Sequence, residues 1–126
     1  MYQAELDSGQ LKWGILHTEQ FFRANARHME GKNGDFCHVK RLIQLLRNQQ
    51  AVFGSDNLDE DTVAIACFDL GEFVRHYPNG KSIAKRLGAK EVVMPLMDHE
   101  DTKIQQHALQ CISKLLVSNW QAAIGS

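Results

Sequence analysis

The sequence has very little of what interrupts a helix or builds a sheet. Only two of its 126 residues are prolines, Pro78 and Pro95, so long uninterrupted helices are possible. β-branched runs are scarce, and the best short pair, Val92-Val93, lies in a stretch that also has helical character. No apolar run approaches the roughly 18 residues of a membrane span, which excludes direct insertion into a bilayer.

Closely spaced cysteines and an excess of one charge are also missing. The three cysteines, Cys37, Cys67 and Cys111, are widely spaced and form no CxxC pair. An odd, scattered set argues against a disulfide framework or a zinc site and favours a reduced, cytosolic interior. Lys and Arg number 14 and Asp and Glu number 15, giving a net charge of −1. The totals therefore lack the basic excess of a nucleic-acid-binding protein, and the polar, acidic first residues do not resemble a secretory signal.

What the sequence does contain is helical periodicity. The clearest example spans residues 61–76, where Val63, Cys67, Leu70 and Val74 recur at steps of 4, 3 and 4 and form one apolar seam. Further helices are predicted at 18–30, 35–49, 81–87, 90–97 and 101–120. Residues 1–17 lack clear periodicity and are predicted to form an irregular arm, with room for one helical turn, before a domain at 18–126. The sequence therefore predicts an all-α fold of about six to seven helices.

Capping and breaking residues support these boundaries. Thr18, Asp35 and Asp101 are placed to act as N-caps of the helices that follow them. Gly88 is placed to end the short helix before it. Pro95 is expected to kink or end the helix that contains it, because proline removes a backbone donor and clashes with the preceding turn.

The strongest seam recurs later in the chain. Each of its four positions has an apolar counterpart 41 residues further on, at Ile104, Ala108, Cys111 and Leu115. This period falls in the range of about 40–47 residues that is typical of armadillo and HEAT repeats. One such unit cannot cover both of its apolar faces, so neighbouring units must stack. The sequence predicts a short armadillo/HEAT-like α-solenoid and is expected to be a fragment of a longer one.

Several unusual clusters carry a resemblance to a known family. The stretch Phe68-Asp69-Leu70-Gly71-Glu72-Phe73-Val74-Arg75-His76-Tyr77-Pro78-Asn79-Gly80-Lys81 is similar to one in the C-terminal domain of the V-ATPase H subunit. So are Met97-Asp98-His99-Glu100-Asp101 and Ser8-Gly9-Gln10-Leu11-Lys12-Trp13. The chain departs from the family pattern at Gly14-Ile15, where Ser/Thr-Pro is usual, and at Phe22, where Trp is frequent.

The resemblance implies a regulatory role rather than catalysis. It implies a domain that couples ATP hydrolysis to proton transport in the V-type pump and silences hydrolysis when the peripheral sector detaches. The implied partners are the central stalk and catalytic subunits of that sector and the cytosolic part of the a subunit of the membrane sector. The implied location is cytoplasmic, on the cytosolic face of vacuolar and other endomembranes through the pump.

The alternative function is an armadillo-type peptide-binding adaptor unrelated to the pump. Importin-like armadillo grooves use a Trp followed four residues later by Asn. Neither Trp13 nor Trp120 has that partner, which disfavours the nuclear-import version.

The main candidate for a protein contact is a predicted loop at residues 48–60. Its middle is rich in Gly, Ser, Asn and Asp, and it is longer than most connections between helices. A long loop on a rigid scaffold can reach a partner and change contacts between two states. The residues proposed to contact a partner are Phe53, Asp56, Asn57 and Asp59, and the competing interpretation is a tolerated, solvated insertion.

A second candidate surrounds the turn at Pro78. Arg75, His76 and Lys81, together with Tyr77, can form a polar interface patch, since Arg and Tyr are favoured at interfaces. The competing interpretation has Tyr77 packed on the core and Arg75 and His76 at a helix end.

A third group is basic: Lys81, Lys85, Arg86 and Lys90 follow one another with Glu91 nearby and no aromatic residue between them. The pattern favours a solvated helix face, then an acidic protein partner, then nucleic acid.

The sequence does not favour a catalytic or a metal-binding interpretation. Cys37-His38 suggests a nucleophile and base, but adjacent residues on a helix do not face each other. The acidic run at 98–101 resembles a ligand set, yet its members are consecutive, so a solvated turn with an N-cap is favoured. Neither the GxxxxGK[ST] pattern of a P-loop nor the HExxH pattern of a zinc protease occurs. The sequence predicts no catalytic residue, no metal and no cofactor.

Overall fold

The structure, a computed structural model, describes residues 2–31, 33–51 and 60–116. These residues form only helices: α1 (Tyr2–Ser8), α2 (Glu19–Asn25), α3 (Cys37–Ala51), α4 (Glu60–His76), α5 (Gly80–Leu87), α6 (Ala89–Val93) and α7 (Thr102–Leu116). Two 3₁₀ turns, Ala26–Glu30 and Met94–Asp98, follow α2 and α6. The predicted all-α class is confirmed. No helix of the described part is long and apolar enough to cross a membrane.

Two of the three predicted caps, Thr18 and Asp101, are present at the helix starts. The hydroxyl of Thr18 accepts the Phe21 backbone N–H at 3.1 Å, at the first turn of α2. A carboxylate oxygen of Asp101 accepts the Ile104 N–H at 3.0 Å, at the start of α7. These bonds satisfy backbone donors that have no partner inside the helix, so each stabilises its helix by about 1 kcal/mol. Pro95 lies in the 3₁₀ turn that follows the end of α6, which is consistent with the absence of a backbone N–H in proline.

The core centres on α4 and α7, which pack side by side. The two seams are buried along both helices, and of their eight residues only Val74 stays partly exposed. Burying a side chain of this size contributes about 1.5–3 kcal/mol relative to leaving it in water. The repeat of 41 residues therefore has a direct physical meaning, because its seams supply much of the apolar surface that holds the fold.

Several helix boundaries differ from prediction by a few residues, and the largest differences concern the N-terminal arm and the predicted loop. Residues 2–8 form a helix, not an irregular arm, and Tyr2 and Leu6 join the same core as the later helices. Residues 48–51 are the end of α3, and Glu60 opens α4, so the predicted loop at 48–60 was too long at both ends. Gln is a good helix former and an acidic residue suits a helix N-terminus, which accounts for both extensions.

The connection from α4 to α5 is tight and depends on a glycine. A Cβ on Gly80 would lie 2.5 Å from the carbonyl oxygen of Phe73 and 3.2 Å from the Cα of Val74. We expect Gly80→Ala to lower the free energy of unfolding by about 1–3 kcal/mol, because the backbone must shift to relieve the overlap. Urea unfolding measures this change. Gly14→Ala is the control, since its nearest neighbour atom would be 4.0 Å away. Equal stability of the two variants would contradict the packing described.

Candidate functional site

The turn at Pro78 joins the end of α4 to the start of α5. Asn79 adopts a left-handed conformation, with φ of 61°, that reverses the chain just before Gly80. Asparagine tolerates this region better than most residues. The turn lies beside a groove of about 330 Å³ whose lining includes Arg27, Glu30 and Ile83.

Tyr77 packs inward at this turn. Its ring stacks on Phe73 with centroids 5.1 Å apart and meets Phe36 edge-on at 5.5 Å. Its hydroxyl donates to Glu30 at 2.6 Å, and this hydrogen bond raises the pKa of Tyr77 above its usual value. Tyr77 therefore ties α4 to the 3₁₀ turn after α2, as the packing interpretation of the sequence predicts.

Arg75 pairs within the chain instead of pointing freely outward. Its guanidinium lies 3.4 Å from Glu19 on α2, and Arg23 on the same helix also bonds that carboxylate. The hydrogen bond from Arg23, followed by the charge of Arg75, lowers the pKa of Glu19. Since the pair is partly exposed, Arg75 remains accessible to a partner while it links α4 to α2.

His76 lies next to a buried ion pair. Its Nε2 is 3.6 Å from one carboxylate oxygen of Glu72, and Lys114 Nζ lies 2.9 Å from the other. Burial lowers the pKa of His76, so its ring is neutral near pH 7. Lys81 is half-buried in the first turn of α5. The structure thus brings Arg75, His76 and Lys81 to one end of α4, where Arg75 pairs with Glu19 of α2 and the neutral ring of His76 lies beside Glu72.

The other predicted contact residues, Phe53, Asp56, Asn57 and Asp59, lie outside the described residues. The structure fixes the two helices that flank them. α3 ends at Ala51 and α4 starts at Glu60. α3 and α4 pack against each other.

A buried polar network that sequence reasoning missed fixes α1 to α4. The hydroxyl of Tyr2 donates to Asp69 at 2.7 Å, and His17 Nδ1 lies 2.8 Å from the same oxygen. The other ring nitrogen of His17 is 2.9 Å from Glu5. Asp69 is fully buried, and its second oxygen has no hydrogen-bond partner among the described residues. These contacts join residues up to 67 positions apart, so no local pattern signals them.

The proton balance of the network follows from its geometry. Burial raises the pKa of Asp69 to about 6, despite the hydrogen bonds from His17 and Tyr2. Burial lowers the pKa of His17, but its hydrogen bonds with Asp69 and Glu5 outweigh burial and raise it. An imidazole between two carboxylates donates to both only when it is protonated. The network therefore favours a protonated His17 and holds α1 in place.

The pair Cys37-His38 has no catalytic arrangement. His38 Nδ1 is 3.0 Å from the backbone carbonyl of His28, and Nε2 is 2.9 Å from the side-chain oxygen of Gln3. Both ring nitrogens are therefore engaged in holding α3 to its neighbours.

The acidic turn at 98–101 is a capping turn, as predicted. The carboxylate of Asp101 caps α7, and its backbone N–H donates to His99 Nδ1 at 2.9 Å. Asp101 also raises the pKa of exposed Glu60 through a shared hydrogen bond. Across residues 2–31, 33–51 and 60–116, no group of three or more His, Cys, Asp or Glu side chains could hold a metal ion.

Comparison with known proteins identifies the family. A family model for the H subunit of the V-ATPase matches residues 1–120. The V-type proton ATPase H subunit of Drosophila melanogaster is 37% identical over 121 residues, which are 95% of this chain and 24% of the relative. The second of two probable V-type proton ATPase H subunits of Caenorhabditis elegans is 38% identical with the same coverage. A probable H subunit of Oryza sativa subsp. japonica is 31% identical over 92% of this chain and 24% of the relative.

The match extends over nearly the whole chain, although the chain spans only about a quarter of the length of these curated relatives. It includes the α4 stretch and the turn at Pro78 described above. The chain belongs to the family of V-ATPase H subunits.

Proposed function

We propose that this chain is a non-catalytic regulatory domain of the V-type proton-translocating ATPase. It binds other pump subunits, couples ATP hydrolysis to proton transport and silences hydrolysis in the detached peripheral sector. The observation that carries this proposal is the family match over residues 1–120. Family membership also favours it over a peptide-binding adaptor unrelated to the pump.

The arrangement of buried ionisable groups supports a binding role. Perturbed groups often mark active sites. Here, however, Asp69 binds residues that hold α1, and Glu72 binds Lys114 of α7. Each of these acids joins two parts of the fold, which explains its burial without a substrate. The result is a rigid scaffold whose outer surface is available for protein partners.

The proposed partners are the central stalk and catalytic subunits of the peripheral sector and the cytosolic part of the a subunit of the membrane sector. The domain would then work at the cytosolic face of the membrane, attached through the pump. The proposed contacts are Phe53, Asp56, Asn57 and Asp59, with Arg75, His76 and Lys81 as a second group. Support for the first group is their place between α3 and α4, which pack against each other.

The test is addition of this chain to isolated peripheral sector that lacks its H subunit. We expect the chain to co-migrate with the sector and to lower its ATP hydrolysis. Sedimentation or gel filtration measures binding, and a coupled ATPase assay measures inhibition in the same samples. Absence of co-migration at micromolar concentrations would contradict the proposal.

A variant of the proposed contact segment tests whether these residues are needed for inhibition. We expect alanine at Phe53, Asp56, Asn57 and Asp59 to reduce inhibition at least about tenfold, because a few contact residues usually carry most of an interface's energy. The control carries alanine at four exposed positions of α7: Thr102, Gln106, Gln110 and Ser113. Full inhibition by the segment variant would show that these residues are a solvated insertion.

A further inference from the structure

Helix α5 presents a basic face to solvent. Its apolar side chains, Ile83, Ala84 and Leu87, pack toward the core. Lys85 and Arg86 are exposed, and Lys81 is half-buried one turn earlier. The helix is held at its start by the close approach of Gly80 to α4, so these cations project from a fixed support.

The fold adds a cation that the local sequence does not reveal. Arg47, near the end of α3, reaches the junction of α5 and α6. Its Nη2 lies 3.3 Å from the point that a Cβ on Gly88 would occupy. Gly88 has a φ of +99°, so glycine provides both the turn and the space for the guanidinium. Together, Arg47, Lys81, Lys85, Arg86 and Lys90 form what we call the basic strip.

Most of the basic strip is not neutralised within the chain. In the described ranges, Arg47, Lys85, Arg86 and Lys90 form no ion pair. An acid, Glu91, also lies at the junction, with its carboxylate 3.9 Å from the same point beside Gly88. Grouped cations of this kind create a local positive potential that attracts an oppositely charged surface.

A group of acids, which we call the acidic edge, lies at the start of α4 and in the turn before α7. Glu60 and Asp61 lie at the start of α4, and Asp98, Glu100 and Asp101 lie in the turn before α7. The 17 residues of α4 separate its acidic start from its end, where α5 begins, by about 25 Å at 1.5 Å per residue. The basic strip is therefore a local feature of a chain whose net charge is −1.

We propose that the basic strip docks on an acidic protein surface of another pump subunit. This inference rests on the proposed function and names one of its contact surfaces. Charge complementarity between matched patches steers association and selects the partner. A protein can offer a small acidic patch that fits five cations and avoids the acidic edge of this domain.

Two other anionic partners fit the geometry less well. Nucleic acid presents phosphates along its whole length, so the acidic edge would oppose it, and the strip has no aromatic residue for base stacking. Peripheral membrane helices combine cations with an exposed apolar face. The apolar face of α5 is turned into the core. A protein surface is the partner that both observations favour.

The test compares two charge reversals of equal size. Lys85→Glu with Arg86→Glu reverses the strip, and Lys12→Glu with Lys103→Glu reverses two exposed cations outside it. Binding to peripheral sector lacking its H subunit is titrated at low and high salt. We expect the strip variant to bind at least about tenfold more weakly at ~0.1 M salt, and this difference to shrink at ~0.5 M. Lys85→Gln with Arg86→Gln should lie between wild type and the reversal.

A stability measurement distinguishes a role of these cations in docking from a purely structural role. Lys85 and Arg86 lie in the last turn of α5, where positive charge favours the helix dipole. Thermal unfolding by circular dichroism therefore accompanies every titration. Weaker binding by strip variants that remain folded at the assay temperature supports docking.

The remaining outcomes each overturn a different claim. Equal binding by strip and control variants would overturn the docking surface and leave the proposed function standing. Failure of the wild-type chain to bind the sector would overturn both. Strip-dependent binding to vesicles containing ~30% phosphatidylserine, or to duplex DNA, in place of the sector would overturn the choice of a protein partner.

Discussion

Replacing Lys114 with methionine is expected to lower the free energy of unfolding by about 3–5 kcal/mol, because the carboxylate of Glu72 is left buried without its cation. Lys114 Nζ lies 2.9 Å from Glu72, and the two side chains are 12% and 2% exposed. In the native protein burial lowers the pKa of His76, so its ring does not supply a charge to Glu72 near pH 7. Urea unfolding at pH 7, monitored by circular dichroism, measures the loss.

The matched control removes both charges. Lys114→Met combined with Glu72→Leu is expected to recover most of the lost stability, since a well-packed apolar pair often equals or exceeds a buried ion pair. A double variant no more stable than Lys114→Met would show that packing, rather than the unpaired charge, dominates the effect. A loss below about 1 kcal/mol in the single variant would place the pair in the class of exposed ion pairs.

The helices at the centre of the fold are those that the sequence predicts best. In α4 and α7, one seam of apolar residues recurs with a helical period, and burial against a neighbour follows directly from that pattern. Capping residues add a second, local signal, and Thr18 and Asp101 both act as predicted. Local periodicity and capping are strong predictors because they depend only on residues within a few turns.

Helix α1 shows what such patterns miss. It is short, and just two of its side chains, Tyr2 and Leu6, are buried. Isolated helices of this length are unstable in water, so tertiary contacts must hold it. Those contacts come from Asp69 and from Arg41, whose guanidinium donates to the Leu6 carbonyl at 3.1 Å. Because these partners are distant in sequence, no pattern near the N-terminus predicts the contacts.

The candidate surfaces divide in the same way. The cations of α5 are evident in the sequence because they are neighbours along one helix. Arg47 joins them only through the packing of α3 against α5 and α6. Conversely, Arg75 and His76 suggest an exposed charged patch in the sequence, but the fold pairs Arg75 with Glu19, and burial leaves the ring of His76 uncharged near pH 7. A charge pattern in the sequence identifies candidate interface residues. Only the tertiary contacts show whether their charges are already paired within the chain.

The histidines around Tyr2 give opposite pH dependences, which can be measured separately. The ring centroids of His28 and Tyr2 are 4.6 Å apart. The Nε2 atom of His28 is buried without a hydrogen-bond partner among the described residues. Burial, followed by the nearby charges of His38 and His17, lowers the pKa of His28 from 6.5 to about 4. Between about pH 4 and 6.5, His28 is therefore protonated in the unfolded chain and neutral in the folded chain. The contribution of His28 to stability is present above pH 6.5 and is lost as pH falls through about 4.

We expect His28→Phe to gain stability relative to wild type as pH falls from about 6.5 to 4, because phenylalanine cannot bind the proton. The shift of the pKa corresponds to at most about 3 kcal/mol at 1.4 kcal/mol per unit. Solvent screening of the half-buried ring reduces our expectation to about 1–2 kcal/mol. Urea unfolding of both proteins at several pH values measures the difference, and a constant difference across this window would contradict it.

His17→Gln is the counterpart with the opposite sign. The pKa of His17 is raised because Asp69 and Glu5 favour its protonated ring more than burial opposes it. Its contribution to stability is therefore complete below pH 6.5 and is lost as pH rises through the raised value. We expect the advantage of wild type over His17→Gln, measured by the same urea unfolding series, to shrink above pH 6.5, where His28 no longer titrates. The two variants thus separate the effect of protonating His17, which holds α1, from the effect of protonating His28, which burial disfavours.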